Sequence, residues 1–191
     1  MTDPLVNRIS QWLAWIAGAV VLFGCAVPIT IDVLSRYFFN RSAVESFEIS
    51  GFGLAACIGL GMAHTVTTKA HIRVDFLVAR LPFALRAACD LLAACVLAVV
   101  AAALAWYAWK TLAQSWDMGA RSISLLRIPM VIPQGLWWIG LFWFAFVAVL
   151  APIRAVLRLV RGDRDGFHAI VGSADIDAEI TDAVHAAEGG R

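Results

Sequence analysis

Charge is scarce in this sequence. Asp, Glu, Lys and Arg make up 15% of the 191 residues, against roughly 25% in an ordinary soluble domain. The centres of the long apolar runs hold almost none of it, which leaves no residue for a proton or ion relay across a membrane. Other signatures are missing as well. There is no glycine loop between a strand and a helix for a nucleotide, no metal box and no catalytic triad. No Arg–aromatic pattern points to nucleic acid. The four cysteines, Cys25, Cys57, Cys89 and Cys95, lie in apolar runs without the close Cys/His spacing of a zinc site, and read as small packing residues. Neither the alternation of a membrane barrel nor an internal repeat of the inverted-transporter kind is visible.

What is abundant is apolar surface. Hydrophobic residues make up 61% of the chain, more than a soluble interior of this size can hide. A helix needs about 20 apolar residues to cross a hydrocarbon core roughly 30 Å thick. Four stretches qualify: Trp12 to Leu34, Ile49 to Val66, Ala84 to Trp109 and Val131 to Pro152. Each must be helical, because a lone strand in lipid leaves its backbone groups unpaired. The first contains Pro28, tolerable where neighbours re-satisfy the freed carbonyl. The second is rich in glycine (Gly51, Gly53, Gly59, Gly61), which invites close helix approach. The expected fold is therefore an all-α, four-span membrane domain over residues 1–161. A polar tail follows over 162–191, mostly flexible, with a weak helical pattern through Ile176, Ile180 and Val184.

Lys and Arg set the expected orientation. Ten of them (Arg8, Lys69, Arg73, Arg80, Arg86, Arg154, Arg158, Arg161, Arg164, Arg191) fall at the N-terminus, the second connection and the tail. Five (Arg36, Arg41, Lys110, Arg121, Arg127) fall in the other two connections. Both termini are therefore expected in the cytoplasm. Trp12 and Trp15 would mark the inner interface, and Tyr37, Trp106, Tyr107, Trp109 and Trp137 the outer one.

The charges nearest the spans, Asp32, Arg36, Glu45, Glu48, Arg86 and Asp90, sit within a turn or two of an expected end. Two readings stand: partly solvated interfacial groups, or pairs in which Asp32 or Glu48 meets an arginine such as Arg36 or a partner protein. His64 is the only histidine placed to lie within a span, so a haem held from two facing helices is disfavoured. The segment from Lys69 to Leu81 also has two readings. As a helix it gathers Lys69, Arg73 and Arg80 on one side, within roughly 40° at 100° per residue, forming a short basic amphipathic helix on the inner surface. Otherwise it is a simple cytoplasmic loop.

Taken together, Arg36-Tyr37-Phe38-Phe39-Asn40, Glu48, Gly61, His71-Ile72-Arg73-Val74-Asp75 and Leu81-Pro82 resemble the small membrane subunit of tripartite ATP-independent periplasmic (TRAP) transporters, the DctQ-like family. Ile128-Pro129 and Ile132-Pro133-Gln134-Gly135 before the last span fit the same resemblance, which covers about Trp12 to Pro152. Glu45 and Phe47 depart from the acidic residue and tryptophan common in the family before the matched glutamate.

The resemblance implies a non-enzymatic scaffold in the bacterial inner membrane, without a cofactor. Its implied partners are a large multi-span subunit carrying the substrate and sodium sites, and a periplasmic solute-binding protein that delivers an organic acid. Under that reading Arg36 and Asn40 cap the outer end of the first span, Glu48 starts the second, and Gly61 is a contact residue. Lys69, His71, Arg73 and Asp75 anchor the cytoplasmic turn to anionic lipid or to the large subunit. The rivals are a haem-bearing electron-transfer anchor and a small homodimeric exporter.

Overall fold

The computed structural model describes residues 4–41, 46–68, 82–123 and 127–171. The described residues are helical apart from short connections, and four helices are long and apolar enough to cross a membrane. The first is composite: α1 (Pro4–Ala19), a π-helical segment (Val20–Ala26) and α2 (Val27–Phe39). It is followed by α3 (Ser46–Thr67), α4 (Phe83–Asp117), α5 (Val131–Val160) and a short α6 (Arg164–Val171).

The wide turn in the first helix has a cause in the sequence. Pro28 has no N–H, and its ring presses on the turn before it, so a regular ladder cannot run through this point. The chain absorbs the defect as π-helix immediately upstream, at Val20–Ala26. α3 crosses closest there at Gly53, where a β-carbon would collide with the Cys25 sulfur.

The helices extend beyond the apolar cores expected from the sequence. α4 continues past Lys110 to Asp117, and α5 past Pro152 to Val160. Long charged side chains at a membrane surface keep their heads in water while their stems stay on the helix, so helix ends need not coincide with hydrocarbon ends. α5 lies centrally, against both α3 and α4. The core between them is built of small residues: Ala63, Ala101, Ala105, Ala108, Ala145 and Ala148 surround Leu141, Phe144 and Val147. α1 joins this core through Val6, and through Ser10, whose Oγ accepts a hydrogen bond from Trp143 Nε1 at 3.0 Å. Large apolar side chains such as Leu22, Phe23, Val99 and Ile153 point outward, as lipid or an apolar partner requires.

The beginning of the expected polar tail is packed rather than free. Gly162, at φ 74°, turns the chain, and Asp163 caps α6, its Oδ1 accepting the Gly166 N–H at 2.8 Å. Phe167 and Val171 then bury against Ala87, Ala94 and Ala155 at the α4–α5 end. The pattern around Ile176 to Val184 lies outside the described residues, as does the basic segment 69–81.

Arg158 Nη1 lies 2.6 Å from Asp163 Oδ2. That hydrogen bond, and then the one from Gly166, hold the Asp163 carboxyl below its ordinary value of 3.8. The folded form thus prefers the charged carboxylate. The cap is complete above the ordinary value and is lost as pH falls through the lower folded one. Pepsin cleavage within α6, measured relative to Asp163→Ala, is expected to accelerate across that acid window. Asp163→Ala should follow only the pH dependence of pepsin itself; a native chain whose cleavage rate relative to Asp163→Ala is constant across the window removes the cap from the docking of α6.

Candidate functional site

The expected site residues fall in two groups, and the described one lies where α2 ends and α3 begins. Asp32 is 1% exposed, although a partly solvated carboxylate was one expectation from the sequence. Burial of that charge is tolerable because it is met locally. Arg36, one turn on, places Nη2 at 2.8 Å from Asp32 Oδ2, and Ser46 at the start of α3 donates its Oγ proton to the same oxygen at 2.7 Å. Arg36 itself stays largely exposed. Asp90 is likewise buried, inside the second turn of α4.

Asn40 closes α2. It sits in the left-handed region at φ 53°, and its N–H donates to the Arg36 carbonyl at 3.1 Å. Asparagine adopts that conformation more readily than most residues. The Ser35 hydroxyl donates to the Arg41 carbonyl at 2.9 Å and holds the chain as it leaves the helix.

Glu48 stands in the first turn of α3. Its partner is not an arginine: Oε1 accepts a hydrogen bond from the Ser122 hydroxyl, 74 residues along the chain. Ser122 lies in a connection that folds back on itself. Its N–H donates to the Ile128 carbonyl at 2.9 Å, and the Met130 N–H donates to the Ala120 carbonyl at 3.0 Å. Arg121 and Pro129 pair across this loop. Glu48 Oε2 is shielded from solvent with no hydrogen-bond partner among the described residues. Asp32 thus ties α2 to α3, and Glu48 ties α3 to the loop before α5.

Among the described residues Gly61 is not at a helix contact; a β-carbon there would meet nothing within 4 Å. Gly59 and Gly140 make that contact. A β-carbon on Gly59 would stand 2.8 Å from the Trp137 carbonyl oxygen, and one on Gly140 would stand 2.5 Å from the Gly59 carbonyl oxygen. His64, on α3, has Nδ1 buried and without a partner among the described residues. Lys69, His71, Arg73 and Asp75 lie outside the described residues.

At the α2–α3 corner the Asp32 charge is met locally by Arg36, and at Gly59 and Gly140 two backbones pack closely. A family model for the tripartite ATP-independent periplasmic transporters, DctQ component, matches residues 25–161. The chain belongs to the DctQ family. It is therefore the small membrane component of a TRAP transporter, a multi-pass membrane protein built on four spans. Comparison with curated proteins and comparison with solved structures each return no match. The DctQ match begins at Cys25, inside the π-helical segment, and ends at Arg161 just before α6. It takes in the Asp32–Arg36–Ser46 corner, the Glu48–Ser122 tie and the Gly59–Gly140 crossing.

Ser46, Ser122, Gly140 and Trp143 carry no local sequence pattern that marks them as contact residues. Serines carry no positional signal. A 74-residue separation hides the Glu48–Ser122 pair from any local pattern. Gly140 sits alone in a run of large apolar residues, and that isolation was the one available clue.

Proposed function

We propose that this chain is the non-catalytic, stationary scaffold of a sodium-coupled TRAP transporter importing organic acids of the dicarboxylate or sugar-acid class. A large multi-span subunit would carry the solute and sodium sites, and a periplasmic binding protein would deliver the solute. The observation that carries this reading is the α3–α5 crossing, where backbones touch at Gly59 and Gly140 inside an alanine-lined core. A contact of that kind suits a rigid brace and leaves no room for a solute between those helices. The charges tied at the Asp32 corner sit at a span end rather than along a path through it. With both termini in the cytoplasm, this corner and the 118–130 connection face the periplasm.

The reading also assigns the segment Lys69, His71, Arg73 and Asp75 to the cytoplasmic surface. Basic residues near an anionic leaflet each contribute about 1 kcal/mol, so Arg73→Glu should lower the yield of assembled complex. The test is reconstitution in liposomes. Uptake is expected to require this chain, the large subunit, the binding protein and a sodium gradient together. Uptake by this chain alone overturns the scaffold assignment, and unchanged complex yield for Arg73→Glu removes the anchoring role.

A further inference from the structure

Two opposite charges on α4 are left over from the pairing seen elsewhere. Among the described residues neither Lys110 nor Asp117 has an ion-pair partner. Lys110 Nζ instead lies 5.7 Å from the ring centroids of both Trp106 and Tyr107, an attraction of the cation to the ring faces. Seven residues separate the two charges, so they share a flank of the helix at roughly 10.5 Å of axial rise. That is too far for either to neutralise the other.

Lys110 sits over the ring of Trp106, which lines an apolar groove along the α4–α5 seam, and Asp117 lines one end of that groove. Its main part, about 500 Å³, is lined by residues including Ala102, Trp106, Trp109, Trp138 and Phe142. Trp109 also lines its continuation, about 420 Å³, which runs past Trp116 and Val131 to Asp117 itself. The tryptophans mark this as a membrane–water boundary. The groove descends from there into the apolar part of the bundle.

We infer that this groove is a binding site for one phospholipid whose headgroup ends in a primary ammonium, with phosphate on Lys110, ammonium on Asp117 and an acyl chain along the α4–α5 seam. The order of the charges argues for it. In such a lipid the phosphate is closer to the acyl chains and the ammonium lies beyond it. Lys110 is likewise nearer the deep part of the groove, and Asp117 is at the helix end. A glycerol headgroup offers Asp117 no cation. A choline headgroup offers a cation with no N–H to donate. The inference depends on membrane embedding alone and holds whichever solute the transporter carries.

The test is native mass spectrometry of the full-length chain in mild detergent, titrated with phosphatidylethanolamine, phosphatidylglycerol and phosphatidylcholine of one acyl composition. The ethanolamine lipid is expected to be retained about tenfold more strongly than either other, the size of one charge-assisted hydrogen bond. Asp117→Asn should bring the ethanolamine-to-glycerol ratio towards one, and Lys110→Gln should weaken both. These are surface substitutions, so folding stays intact for the comparison. Ala102→Trp should exclude all three lipids by filling the groove. A native ratio near one, or an unchanged ratio in Asp117→Asn, overturns the assignment. So does a crosslink from Phe146 to the large subunit in a purified complex that retains no ethanolamine lipid, since a protein helix would then occupy the seam.

Discussion

Gly140→Val is expected to separate α3 from α5 and leave little folded protein. The atoms in the way are backbone: the Gly59 carbonyl group and the Leu60 amide nitrogen, the latter 2.5 Å from where a β-carbon would stand. Backbone inside two regular helices cannot rotate aside as a side chain can, so the helix axes must move apart. Overpacking a tight core costs about 1–3 kcal/mol even where side chains can adjust, and here they cannot. Separation also strips contacts from Leu141, Phe144 and Ala148, the centre of the core. Gly61→Ala, on the facing helix α3, is the control: a β-carbon there meets nothing within 4 Å among the described residues, and the change should alter stability by less than about 0.5 kcal/mol. Thermal melting in detergent, followed by tryptophan fluorescence, distinguishes the two. Equal melting temperatures for Gly140→Val and the native chain refute the glycine crossing.

Asp32→Ala is expected to have the next largest effect, because it removes the acceptor for two donors at once. Arg36 and Ser46 both meet Asp32 Oδ2, and Asp32 is buried. A hydrogen bond to a charged group contributes about 1.5–3 kcal/mol, with the Arg36 share reduced because that side chain is mostly in solvent. The loss should appear at the α2–α3 corner, as faster proteolysis near Ser46 and a lower melting temperature. Asp32→Asn keeps an oxygen for Ser46 and gives up only the charge, so its loss should be the smaller. If the two variants melt together, charge holds the corner and the serine contact contributes nothing.

Much of this architecture was legible in the sequence because lipid imposes simple rules. Apolar length alone placed four spans, since a backbone in hydrocarbon has to be helical. The DctQ resemblance was legible in short motifs around Glu48, Gly61 and Pro82. What escaped was whatever depends on two distant segments meeting. Glycines in the second span announced a close approach, yet spacing alone could not separate Gly53 and Gly59, which make contacts, from Gly51 and Gly61, which face open space. Asp32 was seen as an interfacial charge, but its burial depends on α3 returning beside it with Ser46. The docking of Phe167 and Val171 was hidden for another reason. Two apolar residues in a polar stretch are a weak local signal, and their value comes from alanines on α4 and α5 that leave room for them.

The π-helical segment at Val20–Ala26 has a consequence for how this family can vary by insertion and deletion. A π turn is equivalent to one residue slipped into an α-helix, so everything before it is out of step with everything after it. The face carrying Val6 and Ser10 to the core and the face carrying Asp32 to Ser46 are aligned only through that offset. Deleting one residue from Val20–Ala26 would remove the slipped-in residue and leave an ordinary α-helix with both faces aligned, whereas relaxing the segment to α-helix at unchanged length would turn one half by roughly 100° against the other. Asp32 would then face lipid while every side chain needed at the corner remained in the sequence. A one-residue deletion in this stretch should therefore be better tolerated than a substitution that closes the π turn at full length.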